Sequence, residues 1–152
     1  MKWLQLISNS KSTYYKLITF LNQYGLSGLE EALQYFENAN QYYFCNTRSS
    51  SSKIKIKELY YLKITEHKIK VYTATEIFEK YGTLNNELKF LSTYGFIKCH
   101  QSYIVSLEKI RTINRNKIIL INEEILPLSN HYAPKVIVAF HNYNHNRKPS
   151  NP

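Results

Sequence analysis

A chain of 152 residues with 43% hydrophobic content holds one well-cored domain and an appendage, which excludes both a multidomain assembly and a disordered polypeptide. Its longest apolar runs, 118–121 and 136–140, are far too short to cross a bilayer. Its 20 basic residues outnumber 11 acids, and the whole surplus of +9 lies in residues 41–152, because residues 1–40 carry three lysines and three glutamates; a basic domain beside a neutral segment calls for a polyanionic partner, nucleic acid first and an anionic membrane surface second.

The N-terminal apolar stretch is broken at Gln5 and ends by Ser8, too short for a secretion signal, so a cytoplasmic protein is expected. Residues 10–24 then carry Tyr14, Leu17, Leu21 and Tyr24 at helical spacing, with Gly25 where a C-terminal cap belongs. A second helix is expected from Ser27, with Glu30 placed for a capping box and Leu29, Ala32, Leu33 and Phe36 on one stripe. Residues 1–40 therefore read as a helical hairpin that buries too little to stand alone and must dock or dimerise. The second helix is acidic and has no Lys or Arg, the wrong sign for a DNA-reading helix.

From residue 41 the period changes from helix to strand. Strands are expected over 41–46, 53–57, 59–62, 68–73 and 75–81, with a Ser-rich turn at 48–52. Thr83 is the expected N-cap of a helix through Leu91 whose apolar face is Leu84, Leu88 and Leu91. Phe96–Ile97 and Tyr103–Val105 flank the polar run Lys98-Cys-His-Gln-Ser102, a strand–turn–strand whose turn lacks Gly, Pro, Asn and Asp. Further strands at 111–113, 117–121 and 125–128 lead to a last helix, capped by Ser129, that runs to about Phe140 with Pro134 in its first turn. The tail from about residue 141 is basic and expected to be disordered.

The chemistry of catalysis is missing. Without a single Asp the chain lacks a receiver's phospho-acceptor and most acid–base dyads. It has no Gly-rich phosphate loop, nucleophile elbow or metal-spaced His/Cys set. Cys45 and Cys99 are far apart and read as idle, buried thiols. No enzyme activity and no cofactor are expected.

Four segments in order carry a family resemblance. Glu58-Leu-Tyr-Tyr61 looks like an opening aromatic strand, and Leu84–Leu91 like an s-L-x-x-x-L helix. Phe96-Ile-Lys-Cys-His-Gln-Ser-Tyr-Ile-Val105, with Leu107 and Ile110, is similar to F-x-R-x-H-[RK]-S-[YFH]-[LIV]-[VIL]-N-x-x-x-I, and Leu126-Pro-Leu-Ser129 to l-P-[VL]-S. From Gln41 to Phe140 the chain thus resembles the LytTR DNA-binding domain of bacterial transcription regulators. It departs from the pattern at Leu62, Lys98, Gln101, Ser106, Asn130 and His131.

The resemblance implies a mainly β fold with short helices, an antiparallel core at 41–140 preceded by the N-terminal hairpin. It implies duplex DNA as partner, read through loops in the major groove at paired direct repeats, by a stand-alone regulator without a receiver domain. Homodimerisation on DNA and a regulatory protein partner, membrane-bound in some relatives, are further implications. The three loops are those around His67, Gln101 and His131. Gln101 suits adenine, His67, His100 and His131 suit base edges or phosphates, and Asn130 lies in the same loop. Ser102 and Ser129 suit phosphate oxygens, and Lys63, Lys68 and Lys98 the backbone charge. Two other classes fit the composition: an anti-regulator acting through the N-terminal helices, and an RNA or single-strand binder stacking bases on some of the 14 tyrosines.

Overall fold

Residues 2–145 are described by the computed structural model, and they form two compact units, the first ending at Glu37 and the second starting at Asn38. The first unit is helical. α1 (Lys2–Asn9), which the sequence reading did not anticipate, is followed by α2 (Lys11–Ala39). α2 is broken at Gly25, whose φ of 69° and ψ of −174° leave the helical region. Glycine enters left-handed backbone without a Cβ penalty, so it stops the first half of the helix where a cap was expected. Gly28 follows so closely on the break that an added Cβ would lie 2.5 Å from the Tyr24 Cβ. No residue of α1 or α2 is buried.

The second unit contains three antiparallel sheets. β1 (Tyr42–Asn46) and β2 (Ser51–Lys55) form a hairpin. The five-stranded sheet has the order β5-β4-β3-β7-β6, built from β3 (Leu59–Thr65), β4 (Lys68–Thr73), β5 (Ile77–Tyr81), β6 (Phe96–His100) and β7 (Tyr103–Ser106). β8 (Ile110–Ile113), β9 (Lys117–Leu120) and β10 (Ile125–Pro127) make the third sheet. The alternation expected over 53–57 stops at Lys55, and a 3-10 turn follows at Ile56–Glu58.

Because successive strand residues point to opposite faces, neighbours in β3 and β7 divide between two cores. Leu62 and Ile104 join Tyr43, Ile54, Val71 and Leu91 in one core, under the β1–β2 hairpin and α3 (Leu84–Leu91). Tyr61 and Val105 join Ile110, Ile118, Leu120 and Val136 in the other, against the three-stranded sheet and α4 (Ala133–His145). A strand covered on both faces reads as a continuous apolar run, which is why Leu59–Leu62 shows no alternation.

α3 begins as expected, with the Thr83 hydroxyl accepting the Asn86 amide at 3.3 Å. Its buried face is Leu84, Glu87 and Leu91, with Leu88 only partly covered. The carboxylate is tolerated there because it is doubly paired: the Tyr43 hydroxyl donates to it at 2.7 Å, and Lys80 Nζ lies at 2.8 Å. Beyond α3, Gly95 has a φ of 79°, and a Cβ there would meet the Tyr143 ring at 3.4 Å. Gly95→Ala is expected to cost about 1–2 kcal/mol for the left-handed backbone alone, read as a lower urea midpoint with an unchanged slope.

Two expectations about the C-terminal helix fail. Ser129 does not cap it: α4 starts at Ala133, and the Ser129 hydroxyl oxygen is buried without a hydrogen-bond partner. The backbone does the work instead, with the Ala133 amide donating to the Ser129 carbonyl at 2.9 Å. Pro134 does fall in the first turn, where its missing N–H has no helical partner to lose. The helix also continues to His145, so residues 141–145, expected in a disordered tail, are helical; the remainder of that tail lies outside the described residues.

Both thiols are free and buried. Desolvation pushes the Cys99 thiol up to about 12, and burial also raises Cys45. The thiolate is the reactive form, so alkylation of the native protein near pH 8 is expected to follow the rate of unfolding. Rapid modification of Cys99 in the folded state contradicts this.

Candidate nucleic-acid interface

Strand register decides which loops meet. Thr65 pairs with Lys68 and His100 with Tyr103, so two two-residue turns, Glu66–His67 and Gln101–Ser102, close adjacent hairpins. β3 pairs with β7 through Lys63 and Tyr103, and the Ile64 amide donates to the Ser102 carbonyl at 3.0 Å. Both turns therefore project from the same end of the five-stranded sheet. The third loop joins them there, because the Ser129 amide donates to the Cys99 carbonyl at 3.0 Å. The loops around His67, Gln101 and His131, more than sixty residues apart at the extremes, are brought to one rim.

The turns lack the usual turn residues and are held in other ways. Glu66 takes the left-handed conformation itself, with a φ of 58°. At the second turn the His100 imidazole substitutes for an Asx side chain: the Ser102 amide donates to its Nδ1 at 3.1 Å. An accepting Nδ1 assigns the neutral proton to Nε2. The ring also packs edge-on against Tyr103 at 5.6 Å between centroids. His100, expected as a DNA contact, is thus first a support for the turn that presents Gln101.

The expected cations fall into two groups. Lys63 Nζ lies 5.6 Å from the Tyr103 ring centroid, and Lys98 Nζ lies 5.6 Å from that of Tyr132. Each ammonium rests on an aromatic face. Lys68 does not stand alone. It forms an ion pair with Glu79 at 2.5 Å, and Lys70 approaches the same carboxylate at 3.8 Å. The Glu79 bond holds Lys68 above its ordinary value, and Lys68 in turn holds Glu79 below the usual carboxylate range. Lys68, expected as a neutraliser of the DNA backbone, is thus paired across the sheet with Glu79, a counter-charge that the sequence did not announce.

Gln101, Asn130, His131 and His67 are exposed, and Ser102 and Ser129 are half-buried. His131 packs edge-on to Tyr132 at 4.8 Å. Since the Ser129 hydroxyl oxygen is enclosed, it does not face an external phosphate. Sequence reasoning missed Tyr103 and Tyr132 as platforms and Glu79 as a counter-charge. Only strand register places Glu79 beside Lys68 and Lys70, and no local pattern in the sequence carries that.

The comparisons with known proteins bear on the family and the fold. The sequence model of the LytTr DNA-binding domain matches residues 49–140. A sensory transduction protein, LytT, from Enterococcus faecalis is 28% identical over 81 residues, covering 50% of this chain and 34% of that protein. The chain thus spans about a third of that relative's length. Among solved structures, the LytTr DNA-binding domain of a protein described as a methyl-accepting/DNA response regulator from Bacillus cereus superposes with a TM-score of 0.58 at 21% identity, covering 66% of this chain and 96% of that one. That likeness concerns the fold: antiparallel sheets with few helices. With more than half of its residues matched by the family's sequence model, the chain belongs to the LytTR DNA-binding domain family.

Proposed function

We propose that the domain from about residue 41 to 140 binds duplex DNA sequence-specifically and regulates transcription in the bacterial cytoplasm, presenting its three-loop rim to the major groove. The carrying observation is the convergence of the loops around residues 67, 101 and 131 on one sheet end, flanked by Lys63 and Lys98 on tyrosine faces. Exposed amide and imidazole side chains at the rim supply hydrogen bonds to base edges, and the lysines supply phosphate contacts. Each rim is small, so two copies on paired direct repeats give the site its length. Among the described residues no helix is long and apolar enough to cross a membrane. The test is selection from random duplex DNA, followed by titration of the recovered sequence against a scrambled one at several salt concentrations.

Glu79 gives a prediction with an unusual sign. Glu79→Gln removes the acid that pairs with Lys68 and Lys70. Binding to all duplexes is expected to tighten several-fold at low salt, with a steeper salt dependence and a smaller ratio between cognate and scrambled DNA. Unchanged or weaker binding would place Lys68 and Lys70 away from the phosphates.

A further inference from the structure

DNA binding leaves residues 2–39 without a role. In water, isolated helices of this length are marginal unless an apolar face is covered, yet no residue of α1 or α2 is buried. Trp3, Leu6, Tyr15, Leu26 and Leu33 are between 49% and 76% exposed. Leu26, Leu29 and Leu33 recur at helical spacing after Gly25, as Tyr14, Leu17 and Leu21 do before it. The segment therefore presents a long apolar face on both sides of the break.

Charge says what covers it. The segment carries no net charge, so a polyanion has no electrostatic hold on it. Its charges are instead sorted by sign. All three bases, Lys2, Lys11 and Lys16, precede Gly25, and all three acids, Glu30, Glu31 and Glu37, follow it. Lys11, Lys16, Glu30 and Glu31 are exposed, and among the described residues no ion pair joins the two sets. A surface with one sign on each half complements itself when turned end for end. In a two-fold pair, residue i of one copy meets j of the other and j meets i, so every such contact between halves is made twice.

We propose that these helices bind a second copy of this chain, the half before Gly25 of one copy lying along the half after Gly25 of the other. The apolar face supplies the affinity, and the sorted charges fix the antiparallel direction and reject a parallel pairing. The inference does not depend on the DNA reading, because its readout is oligomeric state.

Two charge-reversed forms of the full chain test it: Lys11→Glu/Lys16→Glu and Glu30→Lys/Glu31→Lys. Sedimentation equilibrium is expected to show a dimer for the unaltered chain and roughly 10–100-fold weaker association for each variant alone. An equimolar mixture of the two variants is expected to recover the dimer as a heterodimer, and the recovery to fade at high salt. That mixture guards against misfolding, since two damaged chains do not regain association by being combined. A monomeric unaltered chain, variants that still self-associate fully, or a mixture that stays monomeric overturns the proposal; the first result would mean the helices are covered within one chain or by a different protein.

Discussion

Gln101→Ala is expected to weaken binding to the selected duplex by about 1–3 kcal/mol, or roughly 5–150-fold, and to relax base preference at one position. His100 accepts the Ser102 amide and packs on Tyr103, so the two-residue turn is fixed and Gln101 is its exposed tip. An amide held at the end of a rigid hairpin can make a bidentate bond to adenine N6 and N7. Binding to scrambled DNA should change little, because the proposed phosphate contacts are made by other residues. Gln101→Arg is expected to move the preference from adenine toward guanine and to raise affinity for all sequences slightly. His100→Ala separates support from contact: it should lower specificity as Gln101→Ala does, and also loosen the turn, visible as faster exchange of the Ser102 amide.

The second large effect is on stability. Glu87→Ala is expected to cost about 2–4 kcal/mol, on the order of 10 °C in Tm for a domain of this size. Glu87 joins three elements: it sits on α3, accepts from Tyr43 of β1 at 2.7 Å and pairs with Lys80 of β5 at 2.8 Å. Its removal leaves a largely covered ammonium and a buried phenol without their partner, the costly way to break such a network. Burial, aided by the bond to Glu87, raises the Tyr43 phenol well above its ordinary value. Tyr43→Phe, which removes a donor but no charge, should cost only about 1 kcal/mol. Differential scanning calorimetry on the three proteins checks the order. A Glu87→Ala protein as stable as Tyr43→Phe would mean the ion pair with Lys80 contributes nothing.

Much of this architecture was readable from residue order, because it depends on local rules. The Thr83 cap, the break at Gly25, the β3–β4 and β6–β7 hairpins and Pro134 in the first helical turn all follow from single positions or short periods. The positions that escaped depend on partners distant in sequence. Glu87 occupies a helix position whose spacing from Leu84 and Leu91 marks it as buried, but its sign hid that until Tyr43 and Lys80 were placed. Ser129 has the right residue type for a cap, yet its amide is drawn to Cys99 and the helix starts four residues later. Lys68 reads as a free cation because Glu79 is eleven residues away in the chain and adjacent only across the sheet. The rim itself was anticipated as three separate loops through the family resemblance. Their meeting at one sheet end follows from the Lys63–Tyr103 register and the Ser129–Cys99 bond.

The most direct measurement is a backbone amide exchange map of the folded chain with and without the duplex recovered by selection. The account predicts slowed exchange at 66–68, 100–103 and 129–132, and none at the opposite end of the sheet, where Thr73 and Glu76 close the β4–β5 turn. Protection centred on that far turn, or no duplex recovered by a well-folded sample even at low salt, would contradict it.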